Sequence, residues 1–198
     1  MRTVGITGPT GAGKSLLSGY MRKKGIPVID ADEVYHSLLV PPSLCLDALR
    51  GAFGDIIFKG EELDRRILSD IVFHDEEKLT LLNRTVLGFV LERIREMLGE
   101  LRAEGHTVAA VDAPTLIESG FYLECDTVVS VISSPEIRVE RIILRDGLTR
   151  EAAEARVHAQ RDDGFYIEKS DIVLTNDRDE VEFFDRCEEL VLNLGGAK

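Results

Sequence analysis

The stretch MRTVGITGPTGAGKSLLSGYMRKKG, residues 1–25, decides the fold. Residues 2–7, RTVGIT, are β-branched and apolar and read as a strand. They lead into a glycine-rich turn and then into the helix-forming run KSLLSGYMRKKG. Across that junction GPTGAGKS meets the pattern G-x-x-x-x-G-K-[ST] at Gly8, Gly13, Lys14 and Ser15, and Gly11 adds backbone freedom. A strand that stops before the turn and a helix that starts within it leave unpaired N–H groups and the positive end of the helix dipole converging on one place, which suits a phosphate. Lys14 then reaches the β and γ phosphates of a nucleotide, and the Ser15 hydroxyl serves Mg2+. The plainer reading, a glycine-rich turn with an incidental lysine, does not account for the strand before it and the helix after it.

Outward from this motif, residues 26–29 read as a second short strand that ends in the acidic segment DADE. EVYHSLL then reads as a helix stopped by Pro41 and Pro42. Residues 44–104 are helical in period with no convincing strand, and Leu79, Leu82, Val86, Phe89, Val90, Met97 and Leu101 trace one apolar stripe. This block, taken as 41–104, is expected to be a helical insertion. After Gly105 come two buried strands, TVAAVD at 107–112 and DTVVSVI at 126–132. Pro135 opens a helix that runs to Arg145, TREAAEARVHAQ forms another, DIVLTN at 171–176 is the last strand, and 179–193 is a closing helix. Five strands alternating with helices predict a three-layer α/β fold with a parallel sheet.

The bulk composition narrows the function. At 198 residues the chain suits one domain with an insertion, 44% hydrophobic and 30% charged. No apolar run approaches the roughly 18 residues that a membrane span needs. The region behind MRTVGIT breaks at Gly8 and Pro9, so signal-peptide features are missing and a cytoplasmic location is expected. Cys45, Cys125 and Cys187 stand far apart, odd in number and without metal spacing, and read as reduced packing residues. His36, His74, His106 and His158 likewise show no ligand spacing and read as surface residues. A net charge of −12 argues against broad nucleic-acid binding, which needs clustered Lys and Arg, but allows a small anionic ligand held by local basic groups. The phosphate loop alone does not separate a kinase from a GTPase. However, Asp112 has Thr115 where a switch protein wants Gly, and TNDRD puts Asp177 where a guanine reader wants Lys.

In an open α/β sheet, ligands gather outside the carboxyl ends of the strands, which brings Asp30 and Asp32 into consideration. With the strand continued, a spacing of two turns them to opposite faces, and Asp32 is the candidate to orient an attacking hydroxyl and accept its proton. The plainer reading, that both cap the next helix, applies above all to Asp30. Asp112, ending its strand, and Glu118 after it are candidates to hold Mg2+ through water, against a cap or an ordinary surface carboxylate. Arg138, Arg141 and Arg145 share one helix face with no acid three or four positions away, so the stripe needs a partner elsewhere. Arg150, Arg156 and Arg161 continue the basic supply, and 138–166 reads as a lid closing over a triphosphate. A solvated face paired with acids elsewhere is the alternative. Arg65 and Arg66 form a basic pair in the insertion that suits an anionic acceptor.

Several segments together carry a family resemblance: ITGPTGAGKS, VIDADEV, LDRRILSDIVF, VDAPTLIESG, RVERIILRDGLTREAAEARVHAQ and EKSDIVLTND. Over nearly its whole length the chain resembles the dephospho-coenzyme A kinases, and only the first segment is general to phosphate-loop proteins. The resemblance implies transfer of phosphate from Mg-ATP to the ribose 3′-hydroxyl of dephospho-coenzyme A, the last step of coenzyme A synthesis. It implies that Gly8, Gly11, Ala12, Gly13, Lys14, Ser15 and Leu16 line the ATP site, with Ser15 on Mg2+. Asp32 corresponds to the catalytic carboxylate, Arg145 lies at the lid, and Asn176 sits near the adenine. Arg65 belongs to the acceptor-binding region, with Thr7 and Glu118 as further acceptor-side candidates. The implied partners are small molecules, with no nucleic acid or membrane. A monomer is expected, with a homo-oligomer left open.

The chain departs from the family pattern at Pro9, where a glycine is usual, at Leu16, where a threonine is common, and at Leu87 and Gly88, which replace a His-Pro pair. The last change bears on acceptor recognition rather than on ATP. Two other readings remain: a kinase of the same fold acting on a nucleoside, nucleotide or shikimate-like acceptor, and a nucleotide-dependent binding protein without an acceptor.

Overall fold

The computed structural model describes residues 1–73 and 75–195. The chain opens with β1 (Arg2–Thr7), α1 (Lys14–Lys23) and β2 (Val28–Asp30). It continues through α2 (Ala31–Leu38), α3 (Leu44–Phe53), β3 (Phe58–Lys59), β4 (Glu62–Leu63), α4 (Arg65–Phe73) and α5 (Glu76–Ala103). The remainder is β5 (Val108–Asp112), β6 (Thr127–Ile132), α6 (Pro135–Asp146), α7 (Arg150–His158), α8 (Asp163–Glu168), β7 (Ile172–Thr175) and α9 (Glu180–Leu194). Two units separate by their internal contacts, Met1–Ile29 with Leu98–Lys198, and Asp30–Met97. His74 lies outside the described residues.

The first unit is built on a five-stranded sheet of order β2-β5-β1-β6-β7, with β1 parallel to both β5 and β6, and β6 parallel to β7. The central strands are buried almost end to end, which is why they read as continuous apolar runs rather than alternating ones. Val4, Ile6, Val129 and Val131 of the sheet pack with Leu17 and Met21 of α1 and with Phe183, Cys187 and Leu190 of α9. Each such fully buried side chain contributes about 1.5–3 kcal/mol, so the loop between β1 and α1 rests on a stiff base. β2 starts later than its sequence suggests, because Pro27 has no N–H to give, although its carbonyl still accepts from Ala110 N at 2.9 Å.

The second unit has its own core of Leu39, Cys45, Leu46, Leu49, Ile57, Leu68 and Val86. Its helices begin on polar caps: Asp30 accepts from Asp32 N and Glu33 N, Ser43 from Cys45 N, and Asp64 from Arg66 N and Ile67 N. Each cap is worth about 0.5–2 kcal/mol. Two differences from the sequence reading stand out. A small antiparallel hairpin, β3 with β4 around Gly60, lies in a region expected to hold helices only. Its strands of two residues each are too short for alternation to register. Along α5 the buried positions are Val86, Val90, Ile94 and Leu98, spaced by four, whereas Leu79, expected on the stripe, is exposed.

Candidate active site

The loop between β1 and α1 has the backbone that its glycines predict. Gly8 sits at φ 136, and a Cβ there would lie 2.1 Å from Val131 O in β6. Gly13 sits at φ 106, and its Cβ would lie 2.2 Å from Asn176 Nδ2. Both positions combine a backbone that L side chains avoid with a contact that leaves no room for one. α1 begins with neither a side-chain cap nor an acidic residue in its first turn, unlike α2, α3, α7, α8 and α9, whose Asp, Ser or Thr caps take first-turn amides. A helix start of this kind keeps its amides and the positive end of its dipole for an anion. Lys14 Nζ donates to Gly8 O at 2.6 Å and to Pro9 O at 3.2 Å, which holds the ammonium against the loop. Ala12 is fully buried, and half-buried Leu16 packs on the core behind the loop.

The loop's carbonyls are gripped from behind. Arg138 Nε donates to Thr10 O at 3.0 Å, and Arg141 Nη1 to Gly11 O and Ala12 O, both at 3.3 Å. Asn176 Nδ2 donates to Ala12 O at 2.8 Å. Arg141 Nη2 in turn reaches Asn176 O at 3.0 Å and Asn176 Oδ1 at 3.2 Å. The arginine stripe therefore has its partner, and the partner is the phosphate loop itself. Arg138 is only 3% exposed, and its burial pulls the guanidinium below its ordinary pKa, opposed by Asp163 and Tyr166. These two arginines, expected within a lid, are bonded to the carbonyls of the loop. Asn176, expected near adenine, is 2% exposed with both polar side-chain atoms engaged by the protein.

Ser15 is exposed on the first turn of α1. Three residues on, along the same helix face, Ser18 Oγ donates to Asp112 Oδ2 at 2.6 Å. Asp112 is 9% exposed at the end of β5, paired in register with Ile6. A hydroxyl and a carboxylate flanking one helix face are hard oxygen donors. That set fits Mg2+, which takes few protein ligands and completes its shell with water and phosphate oxygens. Glu118 lies exposed in the turn after β5. Thr7 is fully buried with its hydroxyl donating to Pro114 O at 3.4 Å.

Arg145 and Arg156 converge on Asp146. Arg145 donates through Nε at 2.7 Å and Nη2 at 2.9 Å, and Arg156 Nη1 pairs with the second carboxylate oxygen. The hydrogen bond from Arg145, and then the charge of both arginines, holds the Asp146 carboxyl below its ordinary range. With the Arg145 side chain 59% exposed, this is a solvated cluster. Arg161 lies over the Phe165 ring, and Arg150 faces Glu154.

In the second unit the strand ends at Asp30 and a helix begins at Ala31, so the two aspartates do not sit on opposite faces of a continued strand. Asp30 is occupied as the cap, and Asp32 stands exposed in the first turn of α2. Arg65, exposed at the start of α4, donates from Nη1 to His36 Nδ1 at 3.1 Å, a pairing the isolated histidine did not foretell. Because a guanidinium only donates, this contact puts the His36 proton on Nε2. His158 is exposed and His106 half-buried. Leu87 and Gly88 fall in the middle of α5, Leu87 half-buried and Gly88 exposed.

Three residues that serve the loop went unread in the sequence. Ser18 could have been found from its spacing of three after Ser15. Asp177, read only as a mismatch to a guanine motif, accepts from Ser133 Oγ at 2.8 Å and Ser134 N at 2.7 Å, tying the end of β7 to the start of α6. Gln160 accepts from Thr10 N at 2.7 Å and from Arg138 Nη2 at 3.0 Å, and nothing in its local pattern points there.

The sequence profile of the dephospho-CoA kinase family matches residues 2–182. A dephospho-CoA kinase from Streptomyces avermitilis is 38% identical over 178 residues, 89% of this chain and 86% of that protein. The crystal structure of TT1252 from Thermus thermophilus superposes with a TM-score of 0.83 at 30% identity, covering 97% of this chain and 96% of that one. Dephospho-CoA kinase from Campylobacter jejuni superposes with a TM-score of 0.74 at 27% identity, covering 98% of each. A phosphate loop on this parallel sheet and a family match spanning both units lead to one conclusion: the chain belongs to the dephospho-CoA kinase family.

Proposed function

We propose that this protein transfers the terminal phosphoryl group of ATP to the ribose 3′-hydroxyl of dephospho-coenzyme A, releasing ADP and coenzyme A. The observation that carries this is the phosphate loop, braced behind by Arg138, Arg141 and Asn176, in a chain that the family profile matches over residues 2–182. The amides at the start of α1 and the Lys14 ammonium take the β and γ phosphates, so that charge spreading over the transferring group meets donors already in place. Ser15 would hold Mg2+ directly and Asp112 through water, and the ion would supply counter-charge for the triphosphate. Asp32 orients the ribose hydroxyl and accepts its proton late in the transfer, the role that its exposed place after β2 supports. Arg145 leaves Asp146 to meet the charge on the moving phosphoryl group, and Arg65 with Glu118 serves the acceptor. Asn176 acts on the nucleotide through the loop backbone that it holds.

The decisive measurement is ADP release with Mg-ATP against a panel of dephospho-coenzyme A, nucleosides, nucleoside monophosphates and shikimate. Dephospho-coenzyme A should give the highest kcat/KM by at least about a hundredfold, the discrimination expected when a site is built around one acceptor's polar groups. Faster turnover of any other acceptor would overturn the assignment.

A further inference from the structure

Thr10 is held at both ends of its residue by one pair of side chains. Its N–H donates to Gln160 Oε1 at 2.7 Å, its carbonyl accepts from Arg138 Nε at 3.0 Å, and Arg138 Nη2 donates to the same Gln160 oxygen at 3.0 Å. The three bonds close a ring around a single loop residue. A trans peptide carries its C=O and N–H on opposite sides, so fixing one of them aims the other. Gripping Thr10 O from behind therefore turns the Gly11 N–H of the same peptide to the opposite side. Gripping Thr10 N–H likewise turns out the Pro9 carbonyl, and that carbonyl meets Lys14 Nζ at 3.2 Å. Through two rigid peptides, Gln160 is thus connected to one loop amide and to the ammonium of the phosphate site.

We propose that Gln160, seated on Arg138, is a positioning residue that orients the Gly11 amide and the Lys14 ammonium toward the nucleotide's β and γ phosphates. The inference rests on the phosphate-loop reading and extends it to a residue just beyond α7, far in sequence from the motif. What matters is an acceptor oxygen at this point. The Gln160 carbonyl receives two donors, one of them a buried guanidinium whose Nη1 pairs with Asp163 only at 3.8 Å. Removing the oxygen leaves the 9–10 peptide held through its carbonyl alone, by Ala12 N at 3.3 Å and Lys14 Nζ at 3.2 Å, and takes from Arg138 the second anchor beside Thr10 O. The phosphates, not the base or the acceptor, should register the change.

The test is calorimetric titration of the intact protein with Mg-ADP and with adenosine, without acceptor, alongside steady-state kinetics. Gln160→Ala should weaken ADP binding about tenfold and raise the KM for ATP by a similar factor, with adenosine affinity and the KM for dephospho-coenzyme A within about twofold of the parent. Gln160→Glu retains an acceptor oxygen facing Arg138 and should recover ADP affinity to within about threefold. Arg138→Lys keeps the charge but replaces the fork, whose Nε and Nη2 reach Thr10 O and Gln160 Oε1 separately, by a single nitrogen, and should lose as much as Gln160→Ala; it stands in if the alanine variant fails to fold. ADP affinity within twofold of the parent in Gln160→Ala overturns the inference, as does a glutamate variant no better than the alanine. Equal losses for ADP and adenosine would also sink it, since they would mark general loosening. A parent protein that does not bind ADP would overturn it together with the phosphate-loop reading, whereas failure of dephospho-coenzyme A as acceptor would leave these ADP results standing.

Discussion

Asn176→Ala separates two roles that the same residue could have in nucleotide binding. If Asn176 touches only the base, its loss weakens nucleotide binding and leaves the free protein as stable as before. If it is a strut beneath the loop, the free protein weakens too. The side chain donates to Ala12 O at 2.8 Å and accepts from Arg141 at 3.2 Å, with 2% of the residue exposed. The first bond is worth about 0.5–1.5 kcal/mol net and the second, to a charged donor, about 1.5–3 kcal/mol. Neither partner is fully orphaned. Ala12 O keeps Arg141 at 3.3 Å, and Arg141 keeps Asn176 O at 3.0 Å, so the lower half of that range applies. The small void left at a buried site adds about 1 kcal/mol. The total is about 3 kcal/mol, which for a chain of this size lowers the melting temperature by about 6–12 °C. Thermal denaturation without nucleotide measures it, and Mg-ADP titration below the transition measures the effect on the loop. A variant within about 0.5 kcal/mol of the parent but deficient in ADP binding would refute the strut and restore a direct contact with the nucleotide.

Asp32→Asn should lower kcat by at least about a hundredfold with Mg-ADP affinity within about threefold of the parent, because proton transfer and hydroxyl orientation are lost while the loop is untouched; turnover equal to the parent's would remove Asp32 from the mechanism. Arg145→Ala should slow turnover about tenfold or more and move the melting temperature by no more than a few degrees, since an exposed ion pair contributes about 0–1 kcal/mol; unchanged kinetics would leave it a surface charge. Cys125 and Cys187 are pushed up to about 12 from an ordinary 9.0, chiefly by burial, with Asp126 and Glu124 adding to the shift at Cys125. A thiol whose pKa is raised on folding keeps its proton longer in the native state, so the stability linked to it is whole below about 9 and is lost as pH climbs towards about 12. Urea unfolding should therefore show a midpoint falling over that window, and alkylation by iodoacetamide at pH 8 should be slow until urea is added; because burial also raises Cys45, Tyr35 and Tyr166, the Cys125→Ala and Cys187→Ala double variant should show a shallower fall rather than none, and an unchanged slope would deny the source.

All five parallel strands could be read from the sequence because each is a short apolar run between turn residues, and the loop because its glycines are demanded by backbone geometry. The helical stripe on α5 was half legible. An apolar period fixes a face only approximately, and neighbours from other elements decided that Ile94 and Leu98 go inside while Leu79 stays out. The hairpin at Gly60 was too short to show. What the sequence could not convey was the use of the arginines. Arg138 and Arg141 looked unpartnered because their partners on the loop are backbone carbonyls, which carry no residue identity and lie more than a hundred positions away. Thr7 stands beside the loop as its position suggests, with its hydroxyl turned to Pro114 O inside a buried β1, a contact that no sequence pattern shows.

The division among the arginines has a physical consequence for catalysis. A charge already saturated by carbonyls at 3.0–3.3 Å cannot swing onto a phosphate without abandoning the loop that holds that phosphate. On the proposed mechanism Arg138 and Arg141 add positive potential behind the site without leaving the loop, which is what preorganised stabilisation requires. Charge that must arrive with the transition state has to come from a group whose resting partner is easy to leave. Arg145 meets that condition, since its bond to Asp146 is solvated and Asp146 retains Arg156 when it goes. Arg156 thus lowers the energetic cost of releasing Arg145. Its removal should make Arg145 leave Asp146 more reluctantly, so Arg156→Ala is expected to slow turnover a few-fold with the KM for ATP unchanged, and Arg156→Lys to restore it. Kinetics identical to the parent's in Arg156→Ala would show that the Asp146 cluster takes no part in delivering charge.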